Sequence, residues 1–205
     1  MVEPAGRTTV RLTRAARRTQ LLAAARSAFV SQGYHSAAMD DIADRAGVSK
    51  PVLYQHFPSK LELYLALLSE TADELVELVR DAIKITDDNQ DRVERSVAAY
   101  FTFVAGNGQA FRLVFESDLA GHAEVEKIVD RMTDACIAAI TDTITTDTGV
   151  DPDRARLLAS GLVGLSQVSA RYWLAQGAVV PLEEAVALLS TLAWRGISRF
   201  PRQNN

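Results

Sequence analysis

With 205 residues, 48% of them hydrophobic, and only 11 glycines and 6 prolines, the chain is too apolar to be wholly disordered, and it holds no long alternating β-branched run that would argue for a sheet. A single cysteine, Cys136, excludes an intrachain disulfide and a multi-cysteine metal site. The formal charge of -4 hides an asymmetry: residues 1–60 carry nine Lys/Arg against four Asp/Glu, residues 61–205 thirteen against twenty-two, so a basic head suited to phosphates precedes an acidic body.

In chain order, residues 1–12 read as a flexible basic arm with Arg7 and Arg11, and Arg14 stands just beyond it. A helix is expected from about Thr13 to Gln32, with Leu21, Leu22, Ala25 and Phe29 as its apolar stripe and Gly33 past its end. Two short helices follow, Met39–Ala46 and Lys50–His56, separated by the turn Gly47–Ser49. Pro58-Ser59 breaks the chain, and Ser59 is placed to cap a long helix to about Ile85, striped by Leu61, Tyr64, Leu65, Leu68, Ala72, Leu75 and Val79. After a polar connector at Asp87–Asp91, helices are expected over about 90–105, 121–145, 152–176 and 181–200, with a short apolar segment at Ala110–Phe115. The reading is all-α with about nine helices: a three-helix unit over 13–59 containing a helix-turn-helix, then a longer helical domain over 60–205, the part to which the family resemblance described below assigns effector binding and dimerisation.

The segment Met39–Phe57 carries the chemistry. Ile42, Ala43, Ala46, Val48, Leu53 and Phe57 form the inward side of two crossing helices, and Gly47 suits a turn that needs positive φ or close backbone contact. Ser49 stands where it can cap the second helix, and Pro51 falls in the first turn, where a missing N–H costs little. The second short helix is the one to enter a major groove.

From Arg17 to Leu63 the chain closely resembles the TetR family of bacterial regulators. The resemblance rests on the apolar first helix, Gly33-Tyr34, Met39-Asp40-Asp41-Ile42-Ala43, Ala46-Gly47-Val48-Ser49, Leu53-Tyr54, His56-Phe57, Lys60 and Leu63. It implies an all-helical homodimer on double-stranded operator DNA, with a second domain holding a small-molecule effector. It places Lys50, Pro51, Val52, Tyr54, Gln55 and His56 against DNA and Lys60 at a phosphate. Two positions depart from the family pattern: Ala37 stands where a hydroxyl residue is common, leaving Ser36 to substitute, and Pro51 replaces a small residue. In physical terms Tyr54 and Lys60 can donate to phosphates, Gln55 can pair with an adenine edge, and Val52 can touch a thymine methyl. Arg7, Arg11 and Arg14 are suited to the minor groove or phosphates.

An enzyme finds no support. His35, His56 and His122 lack metal-ligand spacing, Ser160 and Ser166 lack a nucleophile-elbow pattern, and Cys136 lies on an apolar helix side. No catalytic residue, metal or cofactor is therefore expected. No signal-like or membrane-length apolar run is visible, so a cytoplasmic protein with no membrane partner is expected.

The last two helices carry apolar stripes that would serve as core in a monomer and that the family resemblance assigns to a dimer interface: Leu157, Gly161 and Gly164 with Leu165 and Val168 on one, and Leu182, Val186, Leu189, Leu192, Ala193 and Ile197 on the other. Aromatic and aliphatic residues without organised polar partners suggest an apolar effector cavity within the bundle. Its expected walls are Phe101, Val104, Phe111, Phe115, Ile128, Val129, Met132, Leu162, Leu165 and Val168. Segments Pro51–Leu68, Ala110–Leu119, Ala170–Leu174 and Leu192–Phe200 resemble the actinobacterial regulators of fatty acid synthase genes within this family. That resemblance implies a long-chain acyl-CoA or fatty acid as effector and genes of lipid synthesis as targets. The alternative is a repressor of an efflux or catabolic gene released by another hydrophobic compound.

Overall fold

The computed structural model of the protein describes residues 12–106, 119 and 121–196. Every regular element among them is a helix: α1 (Arg14–Ser36), α2 (Met39–Arg45), α3 (Lys50–His56), α4 (Lys60–Lys84), α5 (Asn89–Gly106), α6 (Ala123–Thr148), α7 (Pro152–Ala175) and α8 (Leu182–Arg195). The expected short segment Ala110–Phe115, together with Arg7, Arg11 and Ile197, lies outside the described residues. The chain divides into two compact units, Met1–Ala66 and Leu67–Asn205. The division along the chain falls within α4, whereas the boundary expected from sequence falls at its first residue.

In the N-terminal unit, Thr13 opens α1 by accepting a hydrogen bond from the Ala16 N–H at 3.1 Å. The helical run breaks at Gly33, whose φ of 77° is open to glycine at little cost. Leu21, Leu22, Ala25 and Phe29, the stripe expected on α1, are buried, as are Ile42, Leu53, Leu63 and Tyr64, and Phe29 packs edge-on against Tyr64. Each fully buried leucine or isoleucine contributes roughly 1.5–3 kcal/mol against exposure. Phe29, Tyr34 and Tyr64 meet at ring-centroid distances of 5.1–5.9 Å, two of the three pairs edge-on.

The turn after α2 is a Schellman motif: the Val48 N–H donates to Ala43 O and the Gly47 N–H to Asp44 O, both at 3.0 Å. Gly47 has φ 63°, and a Cβ added there would meet nothing within 4 Å. Of the two reasons considered for this glycine, backbone conformation is thus the operative one. Ser49 stands at the N-cap of α3 but its side chain makes no capping bond, contrary to expectation. The cause is local. Pro51 removes one of the two N–H groups such a cap serves, and the other, on Val52, donates to the Ser49 carbonyl at 2.9 Å. Nor does Ser36 substitute for Ala37 as a cap: α2 begins after Ala38 with no side-chain cap, Ala37 is buried, and Ser36 is exposed.

Ser59 does cap α4, accepting from the Glu62 N–H at 3.1 Å. On α4 the buried face holds Tyr64, Leu68, Ala72, Leu75 and Val79 but takes Leu63 and Leu67 in place of the half-exposed Leu61 and Leu65. In the C-terminal unit Asp88 accepts from the Asp91 N–H in the first turn of α5, and Asp151 accepts from the Arg154 N–H at the start of α7. Gly149 and Gly177 take positive φ where α6 and α7 end. Helices α5, α6, α7 and α8 pack as a bundle around Val97, Tyr100, Phe101, Met132, Cys136, Ala159 and Val163.

Gly47→Ala should lower the stability of the N-terminal unit by about 1–2 kcal/mol, the cost of forcing an L side chain into left-handed backbone. Urea unfolding followed by Tyr fluorescence and circular dichroism measures this. An unchanged midpoint would show that the turn can relax to negative φ.

Candidate functional site

Helix α3 turns one face inward and the other out. Leu53 and Phe57 are buried, whereas Lys50, Pro51, Tyr54 and Gln55 are exposed and Val52 and His56 are half-buried. The six residues expected to face DNA thus lie together on the accessible part of one seven-residue helix. Their side chains offer an ammonium, a phenol and an amide within two turns, donors able to reach phosphates and base edges.

Most of what holds this face in place comes from residues not singled out in the sequence. Gln20 donates through Nε2 to Ala46 O at 2.7 Å, fastening α1 to the end of α2. Arg45 donates to Ser27 Oγ at 3.1 Å, and the Arg18 guanidinium lies 4.7 Å from the Phe57 ring centre. These partners are 18 to 39 positions apart in sequence, so no local pattern announces them. Lys50 pairs with Asp40 of α2 at 2.8 Å, and that carboxylate, by hydrogen bond and charge, raises the lysine above its ordinary pKa. Both side chains are more than half exposed, so water screens the pair and it adds little to stability.

Lys60 is expected at a phosphate, and in the single chain its ammonium is held by backbone carbonyls. Nζ donates to Tyr34 O at 2.9 Å, His35 O at 3.1 Å and Ala37 O at 3.0 Å, and sits 4.7 Å from the centre of the Tyr34 ring. An ammonium has three donors, and all three are engaged.

In the C-terminal unit a cavity of about 720 Å³ opens between the end of α4, the first two-thirds of α5, the last turns of α6, the middle of α7 and the end of α8. Its wall is mostly aliphatic, with Ile83, Val93, Val97, Ile140, Ile144, Leu158, Leu162, Leu165 and Leu192, and Trp194 adds an aromatic ring. One end is polar. There Arg92, whose side chain is only 15% exposed, donates to Ile83 O, Thr86 O, Asn89, Asp87 and Asp147. Tyr100 lines the cavity, and its hydroxyl reaches Cys136. Burial pushes the phenol well above its usual range and raises the Cys136 thiol too, so the pair stays protonated near neutrality.

Of the expected effector walls, Leu162 and Leu165 line this cavity. Phe101, Val104 and Met132 are instead sealed into the core, Phe101 against Trp173 with ring centres 5.5 Å apart. Ile128 and Val129 are half-buried on α6 and do not line it. Val168 points away, 59% exposed, because it follows the buried Ser166 by two residues, about 200° round the helix. Phe111 and Phe115 lie outside the described residues. Four residues assigned to the dimer stripes, Gly161, Leu165, Leu192 and Ala193, border the cavity. On α7 the outward stripe is bare: Leu157 is 73% and Tyr172 67% exposed, and Gly161 has no atom within 4 Å of an added Cβ, nor has Gly164. Val186 and Leu189 of α8 are half-buried.

Among the described residues no group of three His, Cys, Asp or Glu is placed to hold a metal, and no helix is long and apolar enough to cross a membrane.

Comparison with known proteins gives two family matches. A sequence model of bacterial regulatory proteins, tetR family, matches residues 21–67, and one of the tetracyclin repressor-like C-terminal domain matches residues 89–196. The HTH-type transcriptional activator FasR of Mycolicibacterium smegmatis is 49% identical over 191 residues, 93% of this chain and 87% of its own length. The crystal structure of a TetR-like transcriptional regulator from Rhodococcus sp. RHA1 superposes with a TM-score of 0.72 at 29% identity, covering 93% of this chain and all of that one. FadR from Bacillus subtilis, solved in complex with stearoyl-CoA, superposes with a TM-score of 0.70 over 87% of this chain and 98% of its own; at 20% identity that likeness is one of fold.

Lys60→Met should weaken the N-terminal unit by roughly 1–3 kcal/mol through loss of charge-assisted hydrogen bonds. It should leave unchanged the slope of log affinity for DNA against log salt concentration. A slope shallower by about 0.9 would return Lys60 to a phosphate.

Proposed function

Because this chain belongs to the TetR family of bacterial regulatory proteins, DNA-binding proteins that are not enzymes, we propose that it is a homodimeric activator of lipid or fatty acid synthesis genes. A long-chain acyl-CoA or fatty acid controls its hold on operator DNA. The observation that carries the reading is the extent of the FasR likeness: 49% identity runs through 93% of the chain and so includes the body that forms the cavity. A helix-turn-helix alone would not distinguish regulators with different effectors.

On DNA, α3 enters the major groove. Tyr54 and Lys50, released from Asp40, contact phosphates and fix the register, while Gln55 and Val52 reach base edges. Arg14, with Arg7 and Arg11 of the arm, serves the minor groove or the backbone, and Ser36, Ser49, Pro51 and His56 border the contact. Ser49 and Ser36 spend no hydroxyl on capping a helix, which leaves them suited to phosphate oxygens. Leu157, Gly161 and Gly164 with Val186, Leu189, Leu192 and Ala193 form the dimer interface. That assignment explains why apolar residues on α7 stand bare in the single chain. Two reading helices then meet two half-sites separated by a helical turn or a multiple of it.

The effector is apolar along most of its length, since the cavity is walled chiefly by Ile, Val and Leu. Its volume of about 720 Å³ is within the range of sites that enclose one elongated small molecule. Binding changes transcription only insofar as the ligand prefers one spacing of the two reading heads.

Tyr54→Phe should weaken operator binding while keeping sequence preference, and Gln55→Ala should relax preference at one base pair by roughly 1–3 kcal/mol. Fluorescence anisotropy on an operator and its single-base variants separates the two, and wild-type behaviour in both would remove α3 from the groove. Affinity for acyl-CoA should rise about fourfold per methylene until the cavity is full, from about 0.8 kcal/mol for each CH₂ taken from water. A flat response from eight to twenty carbons would sink the long-chain assignment and favour another hydrophobic effector acting on a repressor.

A further inference from the structure

The two ends of the cavity differ in what they offer a ligand. Arg92 bonds to Asp147 of α6, and the Tyr100 hydroxyl reaches Cys136 of the same helix, so α5 and α6 run antiparallel along it. Arg92 and Tyr100 stand eight residues apart on α5, about 12 Å along the helix axis. Around Tyr100 the wall is apolar, with Val97 a turn before it and Ile140 a turn past Cys136 on α6. The phenol is itself engaged with the Cys136 sulfur. This end suits the methyl end of an acyl chain. At the other end Asn89, Arg92, Asp147 and Thr148 gather, and a lipid's polar head belongs there.

The charge at that end is already balanced. A guanidinium has five N–H groups. The Nε N–H divides between Ile83 O and Thr86 O, both Nη1 hydrogens go to Asn89 Oδ1 and Asp147, and one on Nη2 goes to Asp87. Thr143 and Thr148 donate to Ala139 O and Ile144 O of their own helix. Among the described residues this leaves the second Nη2 N–H and the Asn89 amide N–H groups to donate to a ligand. Arg92 and Asp147 are the only charged side chains in the described wall, and their charges cancel. Asp87, bound to Arg92 from outside the wall, tips the local balance to negative. A carboxylate brought here gives up water, finds no free cation and meets the charge of Asp147. A carbonyl oxygen needs only an N–H or two.

The geometry points to a head site, formed by Arg92, Asn89 and Asp147, that accepts the carbonyl of an uncharged acyl ester, thioester or amide and rejects the carboxylate of a free fatty acid. It rests on the lipid reading of the cavity given above and narrows it. Asp147 is the specificity-determining residue: without it, Arg92 would offer a carboxylate two parallel N–H donors and an unmatched positive charge.

The test uses the full chain at about pH 8, where a fatty acid is ionised, and two probes of one chain length. These are laurate and the uncharged thioester S-lauroyl-N-acetylcysteamine, each titrated by calorimetry. Wild type should bind the thioester at least tenfold more tightly than laurate. Asp147→Asn keeps an acceptor for Arg92 and removes a charge, so the thioester-to-laurate affinity ratio should fall at least tenfold. Asn89→Asp keeps its acceptor and adds a charge, so the ratio should rise. A change in packing alone would move both affinities together and leave their ratio where it was. Should circular dichroism show Asp147→Asn unfolded, Asn89→Asp decides, because a negative charge is favoured in the first turn of α5. Equal wild-type affinities for the two probes overturn the inference, and so does a ratio that stays put in the folded variants. Wild-type protein that binds neither these probes nor palmitoyl-CoA overturns the lipid reading, and the head site with it.

Discussion

The start of the helix-turn-helix is held by one half-buried cation, the ammonium of Lys60. It gathers the carbonyls of Tyr34, His35 and Ala37, groups that the ending of α1 leaves without helical partners. A positive charge is favoured at a helix C-terminus, and the Tyr34 ring adds its quadrupole from one side. The same stretch of backbone leads straight into α2, so its position sets where the helix-turn-helix begins. The Phe29, Tyr34 and Tyr64 rings wedge the same corner. The outward presentation of Tyr54 and Gln55 follows from these contacts as much as from α3 itself.

Much of this was legible beforehand, and the reasons are local. The apolar spacing in α1, the Gly47 turn and the Ser59 cap each act within four or five residues, where sequence pattern and geometry coincide. Ser49 misled because its position is that of a cap while its neighbour Pro51 removes a donor the cap would serve. The hydrogen bonds of Lys60 were not legible for the opposite reason: its partners lie 23 to 26 positions away, beyond any periodicity. The braces from Gln20, Arg18 and Arg45 were missed on the same ground.

In the body, composition announced apolar material without saying which part is wall and which is core. Phe101, Val104 and Met132 are large and apolar, and for that reason they fill space rather than border it. The residues around the cavity include Asn89, Arg92, Thr143 and Asp147, polar groups drawn there by helix ends and their connectors. Arg92 shows why: it serves carbonyls left by the end of α4 and joins α5 to Asp147 at the end of α6. A polar rim over an apolar interior results from how helices terminate, and no stretch of ten residues displays it.

Gly161 and Gly164 sit inside a helix with open space where a methyl group would go. In a lone chain alanine would serve better at each, by roughly 0.5–1 kcal/mol, because glycine has more backbone freedom to lose. Each glycine thus widens the unfolded ensemble of α7 while adding nothing to the packing of the single chain.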